Sequence, residues 1–358
     1  MSNTWITAEY TQELQKLIQE VVNDPSTYLG AKYLPSVALP VNEVFTEVVE
    51  ATGGLTNEHT VGTDPKYIES FGTRVQNYIP PKYKEAIHYD EAKILFLRKL
   101  GDNGRNVRGI RQYINLDIDR LNRRIEARIE KQRWDALFTG GFTYFGKTFS
   151  FGIPASLKAV PLGQVWSNDG INANGSANPV VDLRYWLLGG YAPFRKYKFS
   201  KMVMNPNTVR WILDNSNVQS LVKTYFSAEN FGAYELNKTL QVLIPGLPEA
   251  VEYAGWYQTE SKNSDGKIVV SDAQYFIPDG EIFFLQENLP GGDKLGEFQQ
   301  TLHLADGTID NPGMGKFLVI DDKTVENKKN PYLDLIGGVY GGVNLQRAFD
   351  VCTAKVVT

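Results

Sequence analysis

One stretch constrains this chain more than any other. In residues 105–139, RNVRGIRQYINLDIDRLNRRIEARIEKQRWDALFT, the side chains of Val107, Ile110, Ile114, Ile118, Leu121, Ile125 and Ile129 recur every three or four positions along one stripe. This spacing predicts an unbroken helix of about 50 Å at 1.5 Å per residue. Asp102 or Asn103 can cap its start, and Gly140-Gly141 supplies a left-handed stop. So narrow a stripe describes a spine lying across a sheet or another helix, not a helix buried on all sides. Nine basic residues between Arg105 and Arg133 are interleaved with six acidic residues from Asp102 to Asp135. That mixture reads as a solvated, ion-paired face rather than a nucleic-acid grip.

The rest of the chain must supply what the spine lies on. Its 358 residues suit two compact domains or one elaborate one. A formal charge of -4 argues against a protein whose main task is neutralising phosphates. No run approaches the roughly 18 apolar residues of a membrane span, and the start, MSNTWITAEYTQELQ, lacks the basic flank and apolar core of a secretory signal. The single cysteine, Cys352, cannot form an internal disulfide, so a soluble, intracellularly folded chain is expected. His59, His88 and His303 lie far apart, with no spacing that builds a metal site on a helix. No cofactor is expected.

Residues 7–23 read as a short amphipathic helix, and residues 25–44, with Pro25, Pro35 and Pro40, as an extended arm. Residues 45–100 look unable to fold alone. FTEVVEA reads as one strand and EAIHYDEAKILFLRKL as a return segment. Between them runs a loop with little period that still holds Tyr67, Ile68, Phe71, Val75, Tyr78 and Ile79. Loops of that length in compact domains usually bind something. A projecting hairpin that buries these residues on another subunit is the expectation, with a loop folded over its own domain as the alternative. After Gly141, FTYFGKTFSFGI alternates like a strand pair, VVDLRYWLLGGY reads as a helix and KMVMN as a strand. PNTVRWILDNSNVQSLVKTYF reads as one or two helices opened by Pro206. Strand-like runs follow in AVEYAGWYQ, KIVVSDAQYFI, EIFFLQ, KFLVID and FDVCTAKVV, where a packed Cys352 is expected. The fold class is α+β.

One motif suggests an enzyme. Gly141-Phe-Thr-Tyr-Phe-Gly146-Lys147-Thr148 matches the phosphate-loop pattern, and Phe317-Leu-Val-Ile-Asp321 matches a strand ending in a magnesium-binding aspartate. Lys147, Thr148 and Asp321 would then serve a nucleotide hydrolase. The context opposes this: a phosphate loop joins a buried strand to a helix N-terminus, whereas this segment follows a charged helix and leads into an alternating run with Pro154.

A set of stretches in order carries a family resemblance: YLGAKYLP, EKQRWDALFTGG, TYFGKTFSFGIP, VWSNDG, ANPVVDLRYWLLGG, KMVMNPNTVRWILDNSNVQSLV, YFIPDGEIFFL and NPYLDLIGG. The chain resembles the major capsid proteins of tailed phages, in the lambda-type (E-type) branch of the Hong Kong 97-type fold. The resemblance implies an N-terminal arm (1–44), an extended loop (45–100), a peripheral domain with the spine helix (101–184), an axial domain (185–335) and a C-terminal return to the peripheral domain (336–358). It implies no catalysis, and a subunit that assembles with itself as pentamers and hexamers into an icosahedral virion shell enclosing double-stranded DNA without sequence-specific binding. Tyr67, Ile68, Phe71, Arg74, Tyr78 and Lys82 are the expected subunit-interface residues. Assembly is expected in the host cytoplasm, with a portal and, since only about 25 residues precede the recognisable start, a separate scaffolding protein. The shell is expected to be held by non-covalent contacts, with room for a decoration protein and no contact with membrane. A cellular nanocompartment shell of the same fold is the structural alternative.

Overall fold

A computed structural model of the chain describes residues 28–50, 72–93 and 107–357, apart from 145, 164, 167–176, 226–239, 242, 265–266, 288–291, 306–311 and 323–331. The expected helix at 7–23 and the caps Asp102 and Asn103 lie outside the described residues. The chain divides into two compact units, the first from 1–46, 76–133 and 297–344, the second from 47–75, 134–296 and 345–358.

In the first unit the spine helix runs Val107–Thr139 into the second. Its stripe does lie across a sheet: Ile114, Ile118 and Leu121 are buried against Tyr89, Leu318, Leu333 and Leu335. That sheet is organised around one long strand, Leu333–Asn344. Lys316–Asp322 and Lys82–Tyr89 both pair with it antiparallel, and so, nearer its end, does Glu297–Gln300. A three-residue strand, Ser36–Ala38, adds in parallel to Glu297–Gln300. The glycines of the long strand reflect close approach. A Cβ on Gly338 would sit 2.6 Å from the Tyr83 carbonyl oxygen, and one on Gly342 would collide with the Tyr78 ring. The strands Glu297–Gln300 and Lys316–Asp322, in a stretch expected with the axial domain, thus pair in the sheet beneath the spine.

Charged residues flank the stripe and tie the helix to the sheet. Arg124 makes two bonds to Glu85, at 2.5 and 3.0 Å, and Tyr89 donates to Asp117 at 2.5 Å. Lys316, pushed by burial down to about 8, pairs with Glu126. An exposed pair such as Arg124–Glu85 contributes about 0–1 kcal/mol, against about 1.5–3 kcal/mol for each fully buried aliphatic side chain. The stripe fixes the helix; the charges set its register. One expectation needs correction. Past Ile129 the helix is buried nearly all round, with Glu130 fully buried, Arg133 2% exposed, and Trp134, Ala136, Leu137 and Phe138 in the core. There the helix enters the second unit, where Trp134 meets Tyr253 and Phe283.

The second unit is built on a five-stranded sheet in the order Lys158–Ala159, Cys352–Lys355, Glu281–Gln286, Phe199–Met204, Glu249–Glu252. Met202, Met204, Ile282, Phe284, Cys352 and Ala354 bury one face, alongside Val180, Leu183 and Trp186 of the helix Pro179–Leu187. Burial pushes the Cys352 thiol well up, as expected of a packed thiol. The Pro206 run forms two helices, Pro206–Asp214 and Ser216–Tyr225. Asn205 caps the first by accepting from the Thr208 N–H at 2.8 Å, while its amide donates to the Ile277 carbonyl at 3.1 Å.

Glu281 opens the central strand of this sheet opposite Lys355. Burial pushes its carboxyl from 4.5 up to about 7, with Lys355 and Lys158 pulling the other way. The folded state thus holds this proton more tightly than the unfolded chain. Its contribution to stability is complete below the unfolded value and is lost as pH rises through the folded one. Glu281→Gln is expected to melt above the native chain at about pH 8 and to lose that advantage near about pH 4 in parallel thermal scans.

Candidate assembly interface

The strands Val44–Glu50 and Gly72–Tyr78 pair with each other as a two-stranded ribbon, and with no other strand among the described residues. The first was expected from FTEVVEA. The second falls where a loop was expected, and the return segment opens with the strand Lys82–Tyr89, its residues 94–100 lying outside the described residues. Tyr67, Ile68 and Phe71 lie outside the described residues, and Arg74 is placed only by its backbone on the second strand.

The base of the ribbon is well defined. Tyr78 donates its hydroxyl to the Val343 carbonyl at 2.6 Å and rests its ring on Gly342. Burial pushes its phenol well above the usual tyrosine range. The Gly341 N–H donates to the Pro81 carbonyl at 3.1 Å, and the Lys82 ammonium lies 5.3 Å from the Tyr340 ring centre. Tyr78 and Lys82 therefore root the ribbon in its own chain. Beside them, Phe45 and Ile79 stand 49% and 70% exposed.

A second ribbon spans residues 256–275 in the second unit. Trp256–Tyr257 pairs with Gln274–Tyr275, and Glu260–Lys262 pairs with Ile268–Val270. Its root is an aromatic stack of Tyr253, Phe276 and Tyr257. Along the ribbon Trp256, Ile268, Val269 and Val270 are all about half exposed or more. Because consecutive strand residues face opposite ways, both faces of this ribbon carry uncovered apolar side chains. The strand-like runs were legible in sequence; their pairing as a separate two-stranded ribbon was not.

The phosphate-loop match resolves into a hairpin. Gly141–Tyr144 and Lys147–Ser150 pair antiparallel, with Tyr144 opposite Lys147 and a connection of only residues 145 and 146. Gly146 takes a φ of 73°, and the Thr148 hydroxyl lies 3.1 Å from that of Thr143. Backbone N–H groups committed to a ladder cannot converge on an anion, and the motif leads into the strand Lys147–Ser150 rather than a helix N-terminus. Asp321 lies in the strand Lys316–Asp322, opposite Asp334. Among the described residues no cluster of His, Cys, Asp and Glu could hold a metal ion, and no helix is long and apolar enough to cross a membrane.

The described residues thus comprise a spine helix over a sheet, a second α/β unit and two-stranded ribbons. The family model for phage major capsid protein E matches residues 11–302, well over half of the chain. The chain belongs to that family. It is a major capsid protein, a structural component of the virion shell, and its fold is of the Hong Kong 97 type. A crystal structure of the protein assigned as a prophage capsid protein in Escherichia coli CFT073 superposes with a TM-score of 0.56 at 12% identity, covering 97% of this chain and 98% of that one. The capsid of cyanophage P-SCSP1u gives 0.47 at 10% identity, covering 90% and 86%. No curated protein matches the chain significantly in sequence. As the hairpin geometry requires, Lys147→Ala is expected to leave the melting temperature within about 1 °C, as for surface substitutions generally, and to change no nucleotide affinity measured by calorimetry.

Proposed function

We propose that this capsid protein closes the head shell of a tailed phage as rings of five and six copies. In this reading the excursion at 45–100 lies over a neighbouring copy. The carrying observation is the ribbon of Val44–Glu50 and Gly72–Tyr78, which among the described residues pairs with no other strand yet is fixed at its base by Tyr78. A two-stranded ribbon is marginal on its own and needs a further surface to cover it. Tyr67, Ile68, Phe71 and Arg74 are the residues that meet the neighbour, with Tyr78 and Lys82 setting the direction of approach. Residues 185–296 form the axial part, where the ribbon at 256–275 provides a further contact.

The chain works without catalysis or cofactor. Its weakly acidic total of -4 lets the shell enclose double-stranded DNA without adhering to it. A separate scaffolding protein, a portal and a decoration protein are its proposed partners, with assembly in the host cytoplasm. Many overlapping non-covalent contacts, each of modest area, hold such a shell, and heterologous contacts close the rings.

Replacing residues 53–70 with a short Gly-Ser turn spares Tyr78 and both ribbon strands. The expected product is a folded subunit, with unchanged far-ultraviolet dichroism, that forms no closed shells under conditions where the native chain does. Normal shells from this variant would sink the overlap.

A further inference from the structure

Where the spine helix becomes buried, it carries an ion pair that its stripe does not need. Glu130 and Arg133 are 0% and 2% exposed, with Nη1 of Arg133 3.3 Å from Oε2 of Glu130. Both reach out of the helix to the same short segment. The Gly30 N–H donates to Oε1 of Glu130 at 2.7 Å, and Arg133 donates from Nη2 to the Ser36 hydroxyl at 2.8 Å. The guanidinium also lies 5.8 Å from the ring centre of Phe298, in the strand that Ser36–Ala38 extends. Tyr28 has its phenol raised by burial and then by Glu130. Between these contacts the segment folds into one helical turn, Gly30–Tyr33, with Tyr33 and Leu34 buried beneath it.

We infer that Glu130 and Arg133 are positioning residues: the pair latches residues 28–38 to the spine helix and so fixes the point at which the N-terminal arm joins the body. Two buried charges on a helix are costly unless each is matched. Here the match is divided between the partner charge and a strap that is distant in sequence. Leaving the strap unbound would strand a carboxylate and a guanidinium in the core, so strap and spine are coupled. Gly30 makes the fit specific. A Cβ there would lie 2.8 Å from both carboxylate oxygens, so a residue that usually favours helix should open the latch. The consequence for assembly rests on the shell reading proposed above, whereas the latch itself does not.

Hydrogen exchange on the full-length, unassembled chain tests it, with shell formation read separately. Gly30→Ala is expected to speed exchange at Leu34 and at Ser36–Ala38 by about tenfold or more, as for loss of a buried charged hydrogen bond. Amides of Phe283 and Phe284 in the second unit should be unchanged. Gly30→Ala/Glu130→Asp, which withdraws the carboxylate by one methylene, should recover part of the protection. Ser36→Ala, which removes one contact and adds no bulk, should give the same pattern in weaker form and carries the test if Gly30→Ala does not fold. Native exchange at residues 31–38 in the variants, or equal loosening of the second unit, overturns the latch. If the native chain forms no shells, the assembly reading fails while the exchange result still decides the latch. If the native chain forms shells and the latch variants form them in equal yield and size, the arm's entry point does not matter for assembly.

Discussion

Everything in the first unit depends on how closely the isoleucine stripe of the spine can approach the long strand Leu333–Asn344. Gly337 sits beneath the helix, where an added Cβ would be only 3.3 Å from Ile125 and 3.6 Å from Leu121. On the strand's other side Gly338 and Gly342 admit Phe317 and Tyr78. The long strand is a poor strand by propensity, and it is held because three partner strands and the helix close on it at once. The ribbon root, the strap at 28–38 and the spine thus share one foundation.

Much of this architecture was legible because period survives tertiary context. The stripe from Ile114 to Ile129, the paired helices after Pro206 and the alternating runs around Phe283 and Cys352 each fold as their spacing indicates. What was hidden has physical reasons. GGVYGG carries no local strand signal, since nothing nearby in sequence reveals that Tyr78 and Phe317 need the space. GTRVQNY has too little alternation to declare a strand. Glu130 and Arg133 look like two more charges on a solvated face, because the groups that match them, Gly30 and Ser36, are about a hundred residues away. Of the interface residues, only Tyr78 and Lys82 lie where their side chains are described, and both turn towards their own chain.

Family membership assigns the function, and the physical features explain how such a chain can serve it. Each of the two units has its own sheet and buried core. The ribbons at 44–78 and 256–275 are too thin to be stable alone, and the second leaves apolar side chains uncovered on both faces. In the proposed shell, neighbouring copies would cover this apolar surface.

The most direct test is electron microscopy of the full-length chain in negative stain, expressed alone and with a candidate scaffolding protein. Closed shells of uniform size, or rings of five and six copies, are the predicted result. A monodisperse monomer or dimer under both conditions would contradict the account.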